Sequence, residues 1–107
     1  CVRRHGGYAN RVRANAKFVI PIPDSLDSEG AAPLLCGGIT VYNPLRNHNV
    51  NPSSRVGVVG IGGLGHLAIQ FARVFGAEVT AFSTSVTKEV AARTLGAHRF
   101  VHSSDPV

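Results

Sequence analysis

The stretch VGVVGIGGLGHLAIQFARVFGAEVTAFSTSVTK, residues 56–88, decides the fold of this chain. Val56 to Val59 read as a buried strand, apolar nearly throughout, as strands of parallel sheets are. The strand runs straight into Gly60-Ile61-Gly62-Gly63-Leu64-Gly65, a G-x-G-x-x-G turn. Leu64, Leu67, Ala68, Phe71, Ala72 and Phe75 then recur at helical spacing and make one apolar face. Gly76 is placed to stop that helix. Glu78 to Phe82 form a second strand. Working outward, Val86 to Leu95 form a second helix stopped by Gly96, and Arg99 to Val101 a third strand. Phe75-Gly76-Ala77 and Leu95-Gly96-Ala97 echo each other, each a helix stop feeding a strand. The expected fold class is therefore α/β, a partial Rossmann βαβαβ unit with a parallel sheet. Right-handed crossovers predict the strand order 3-2-1.

Each glycine of the turn has a chemical reason. Gly60 permits a tight exit from the strand, Gly62 leaves room for a pyrophosphate to approach the backbone, and Gly65 lets helix and sheet pack closely. The helix N-terminus adds free N–H groups and partial positive charge. A G-x-G-x-x-G alone is weak evidence; between a strand and a helix, with a second strand following, it predicts a dinucleotide site. Gly60, Gly62, Gly63, Leu64 and Gly65 are its candidate residues. Binders of NAD usually carry Asp or Glu at the end of the second strand. Here stand Ser83, Thr84 and Ser85, with Lys88 three residues on. Hydroxyls and an ammonium suit a 2′-phosphate that a carboxylate would repel, so the cofactor expected is NADP(H). The competing reading has Thr84 or Ser85 cap the next helix and Lys88 stand in solvent.

The chain has 107 residues, enough for one small domain, and a formal charge of +5. Five of its eleven basic residues, Arg3, Arg4, Arg11, Arg13 and Lys17, fall in the first seventeen. They lack a nucleic-acid motif, so no nucleic-acid partner is expected. Cys1 and Cys36 form no disulfide framework. No secretory or 18-residue apolar stretch is present, so no membrane partner and a cytoplasmic location are expected. The sequence contains no methionine, which predicts a fragment. Before the glycine turn, Phe18 to Pro23 read as a short strand stopped by prolines and Asp24 to Glu29 as a turn. Ala31 to Leu45 read as helical around Gly37-Gly38, and Asn43 to Ser54 as a loop.

With these residues in view, the chain resembles the zinc-dependent medium-chain alcohol dehydrogenases, in their NADP(H)-dependent, cinnamyl-alcohol-dehydrogenase-like branch. Four blocks carry the resemblance: Gly6-Gly7-Tyr8-Ala9; Phe18 to Pro23; Ala31-Ala32-Pro33-Leu34-Leu35-Cys36-Gly37-Gly38-Ile39-Thr40-Val41-Tyr42; and the glycine turn with Ser83-Thr84-Ser85. The third is the most specific, having no generic Rossmann explanation. The resemblance implies a division at residue 45: residues 1–45 would end a GroES-like catalytic domain with its connecting helix, and 46–107 would be the first half of the NADP(H) domain. It implies Cys36 as a ligand of the catalytic Zn2+, with Thr40 and Leu64 beside the nicotinamide. From the residues alone, Cys36 reads more readily as a small buried side chain.

The resemblance further implies hydride transfer between NADP(H) and a primary alcohol or aldehyde, a small-molecule substrate, by a full-length homodimer. The family's other zinc ligands, its Gly-His-Glu segment, its four-cysteine cluster and its second βαβαβ half have no counterpart in this sequence. None of the five histidines stands in ligand spacing with Cys36, and the family usually has Asp where His98 stands. An inactive isolated chain is therefore expected. The alternatives are a stand-alone nucleotide-binding module without catalysis and a zinc-free quinone reductase of the same superfamily; Cys36 argues against the latter.

Overall fold

The computed structural model describes residues 7–104. Cys1, Arg3, Arg4 and Gly6, named above, lie outside them. The chain is α/β with a three-stranded sheet. Its elements are α1 (Ser28–Pro33), α2 (Ile39–Asn47), β1 (Arg55–Val59), α3 (Gly65–Val74), β2 (Glu78–Ser83), α4 (Glu89–Thr94) and β3 (Arg99–His102). All strand pairs are parallel and β2 is central, as the crossovers predict. Val58 lies opposite Ala81, and Phe82 opposite Val101. Among the described residues no helix is long and apolar enough to cross a membrane.

The N-terminal part departs from expectation. Phe18 to Pro23 form no strand: Ala16–Phe18 is a short 3-10 turn, and the following residues are irregular. A strand needs a neighbour to take its N–H and C=O groups, and among the described residues none lies alongside. Residues 7–30 are exposed throughout. The turn expected over Asp24 to Glu29 ends earlier. The Asp27 carboxylate accepts from the Glu29 and Gly30 N–H groups at 3.1 Å and starts α1 at Ser28.

The chain then stays helical through Gly37-Gly38 by widening. Leu34–Gly38 is a π turn in which the Ile39 N–H reaches the Leu34 carbonyl. α2 continues past Pro44 to Asn47, so the loop begins later than Asn43. Asn51 then organises that loop. Its amide donates to the Asn49 carbonyl at 2.9 Å and accepts from the Ser53 N–H at 2.9 Å.

The core lies between the sheet and α3 with α4. Val58, Ile61, Ile69, Ala72, Val79, Ala81, Ala92 and Ala97 form one buried cluster. Ile69, absent from the expected apolar face, is fully buried with Ala72, whereas Phe71 and Phe75 turn toward Tyr42 of α2. Helix α3 thus has two apolar contacts, one with the sheet and one with α2. Both α3 and α4 end as expected, at glycines of positive φ, Gly76 and Gly96.

The expectation that Val56 to Val59 are buried holds only at Val58: Val56 is half-buried, Gly57 is exposed and Val59 is 84% exposed. Burial of a parallel strand on both faces needs helices on both. Here one buried cluster takes in α3 and α4 together, and β1 is an edge strand.

Candidate functional site

The carboxyl ends of the three strands open onto one cleft of about 600 Å³. Gly60, Gly62, Leu64 and Gly65 line one side; Ser83, Thr84, Ser85 and Lys88 line the other. Among the described residues, no carboxylate lines the cleft. This is where open α/β sheets bind ligands.

The glycine loop is shaped as its spacing predicts. Gly60 has φ +85°, a conformation that favours glycine, and its N–H extends the sheet by donating to the Phe82 carbonyl at 2.9 Å. A methyl group on Gly65 would fall on the Gly60 carbonyl, so the helix can start this close to the strand only without a side chain there. Space beside Gly62 is open, with nothing within 4 Å of where a Cβ would stand. Gly63 is in the same loop but does not line the cleft. The Gly62 carbonyl accepts from the His66 N–H and meets His66 Nδ1, each at 3.1 Å. A carbonyl can only accept, so Nδ1 carries the proton in that contact.

Across the cleft, buried Ser83 ends β2, and its Oγ accepts from the Ser85 N–H at 3.1 Å. Ser85 occupies the cap position of the 3-10 turn Val86–Lys88 without capping it by its side chain. Its hydroxyl instead shares a hydrogen bond with Thr87 Oγ1 at 2.8 Å. Nor is Lys88 merely solvated, since its Nζ donates to the Ile61 carbonyl at 2.8 Å. The Ser85 side-chain cap of the competing reading is therefore absent, and Lys88, though exposed, also has a partner in the glycine loop.

Two contributors carry no motif in the sequence. Ser103, just beyond β3, lines the cleft, and its N–H donates to the Ser83 carbonyl at 3.0 Å. His102 Nε2 meets the Thr84 carbonyl at 2.9 Å and ties the serine turn to β3. Their only signal is positional: both stand where the third strand ends, at the edge where the first two strands carry the site.

Thr40 and Cys36 lie apart from this cleft. Thr40 lines a neighbouring hollow beside β1, which Leu64 and Gly65 also line. Leu64, half exposed, borders both. Cys36 is an exposed free thiol in the π turn, contrary to the reading as a buried side chain. Such turns are frequent at functional sites. Among the described residues no group of three His, Cys, Asp or Glu could hold a metal ion. A lone thiolate does not fit a catalytic zinc, which needs three protein ligands.

No family model matches the chain. The aldehyde reductase AdhA of Synechocystis is 47% identical over 105 residues, covering 98% of this chain and 31% of that protein. Among solved structures, a cinnamyl alcohol dehydrogenase from Sorghum bicolor superposes with TM-score 0.80 at 48% identity, covering 84% of this chain and 26% of that one. CAD from Helicobacter pylori complexed with NADP(H) gives TM-score 0.70 at 41% identity, over 73% of this chain and 22% of that one. The chain thus spans less than a third of the length of these relatives. Over the stretch it spans, with its glycine cleft and parallel sheet, the chain is similar in sequence and structure to alcohol dehydrogenases, cinnamyl alcohol dehydrogenases among them.

Proposed function

We propose that residues 1–107 are a segment of an NADP(H)-dependent alcohol dehydrogenase or aldehyde reductase. The segment would join the end of a catalytic domain, residues 1–45, to the first half of a cofactor domain, residues 46–107. It would supply the adenosine side of the cofactor site. The observation that carries this is the cleft: a glycine loop faces Ser83, Thr84, Ser85 and Lys88, and among the described residues no carboxylate lines the space between them. The name of the Helicobacter complex, which includes NADP(H), agrees with this assignment.

The residues act by binding and orientation. α3 presents its N-terminal N–H groups to the pyrophosphate. Ser83, Thr84 and Ser85 offer hydroxyls, and Lys88 an ammonium, to the 2′-phosphate. Leu64, which borders both the cleft and the hollow that Thr40 lines, would support the nicotinamide side. The cofactor supplies the hydride chemistry. Cys36 is proposed as one metal ligand in the complete enzyme, the rest coming from residues outside this sequence. The substrate class is a small alcohol or aldehyde, as the names of the relatives suggest.

The test is cofactor preference. Ser83→Asp places a carboxylate where the 2′-phosphate would sit, and should lower the ratio of NADPH to NADH affinity by at least about tenfold. An unchanged ratio in titrations of the complete enzyme would remove the assignment. A second reading, a module that binds NADPH without turnover, is favoured by one fact: both walls of the cleft, the glycine loop and the serine turn, belong to a single sheet. The purified 107-residue chain is expected to be inactive, and zinc-dependent NADPH oxidation by it would overturn that expectation.

A further inference from the structure

Packing does not brace the outer part of the glycine turn. Nothing lies within 4 Å of where a Cβ on Gly62 or Gly63 would stand. Two side chains hold that part by hydrogen bonds instead. His66 takes the Gly62 carbonyl from the helix side. Lys88 takes the Ile61 carbonyl from across the cleft, 27 residues away in sequence, at 2.8 Å. The Ile61 side chain is buried in the core, so the peptide between Ile61 and Gly62 is anchored on one side by packing and on the other by these bonds. In a trans peptide the N–H points opposite to the carbonyl. Holding the Ile61 carbonyl therefore also sets the direction of the Gly62 N–H. Gly62 lines the cleft where a pyrophosphate would lie.

We infer that Lys88 is a positioning residue for the glycine loop as well as a contact for the 2′-phosphate, so that it supports binding of cofactors that lack this phosphate. An ammonium has three donors. One spent on the Ile61 carbonyl leaves two for an anion, and the two roles are compatible. The inference rests on the NADP(H) reading above.

The test uses the complete dehydrogenase, titrated with NADPH and with NADH, in wild type, Lys88→Met and Lys88→Arg. Preferential NADPH binding by the wild type tests the underlying reading separately; its absence would remove that reading whatever the variants do. Given that binding, Lys88→Met should weaken NADH by about tenfold, the low end of what one hydrogen bond to a charged group is worth, and NADPH by more. Lys88→Arg, which can still donate to the carbonyl, should recover most of the NADH loss. Hydrogen exchange over residues 60–66 should quicken in Lys88→Met while the rest of the chain is unchanged, a local signature that general destabilisation would not give. Unchanged NADH affinity in Lys88→Met would overturn the inference and leave Lys88 a 2′-phosphate contact only.

Discussion

His98 shows how one side chain can be in conflict with its partners. Its Nδ1 accepts from the Val79 N–H at 2.9 Å, while its Nε2 lies 2.7 Å from Arg73 Nη1. Both neighbours are donors, yet a neutral imidazole has one donor and one acceptor nitrogen. Either tautomer satisfies only one contact. A carboxylate accepts at both oxygens, which gives a physical reason for the Asp that the resembled family usually carries there. His98→Asp should therefore stabilise the protein, by about 1 kcal/mol given the exposed Arg73 side of the contact. The check is the urea midpoint at constant m-value; a lower midpoint would mean the imidazole packing outweighs the hydrogen bonds.

At the scale of elements, the regular half was legible because each signal was local. The valine run, the glycine spacing and the two helix-stopping glycines mark out β1, α3, β2, α4 and β3 within a residue or so, except that α4 is preceded by a separate 3-10 turn over Val86–Lys88. The cleft was legible for the same reason, since its two walls are the ends of β1 and β2. What was not legible depended on partners. Phe18 to Pro23 have strand composition but no strand beside them among the described residues, and Ile69 faces the sheet because α2 claims the Phe71 and Phe75 side of α3. His102 and Ser103 join the site only through the sheet register. The tightest joint between elements is Gly65 against the Gly60 carbonyl. Gly65→Ala should push α3 off the strand, costing about 1–3 kcal/mol and weakening NADPH binding with it. Unfolding and cofactor titration of the same variant check this; full stability with full affinity would mean that the loop relaxes at no cost.

At the scale of the whole molecule, the sheet is covered unequally. The buried cluster joins α3 and α4 to Val58, Val79 and Ala81, while Val59 at the edge strand is largely exposed. Stability should follow that asymmetry. Ile69→Ala removes a fully buried side chain from the cluster and should cost about 2–5 kcal/mol, the transfer term plus the cavity it leaves. That is a large part of the whole for a chain of this size, so Ile69→Ala should lower the urea midpoint substantially. Val59→Thr changes an apolar residue to one of the same shape where water already reaches it, and should alter stability by less than about 0.5 kcal/mol. Urea unfolding of the two variants beside the wild type separates the cases. A Val59→Thr cost approaching that of Ile69→Ala would mean that the exposed edge of β1 is covered in solution, and that the chain folds as part of a larger body than its own core.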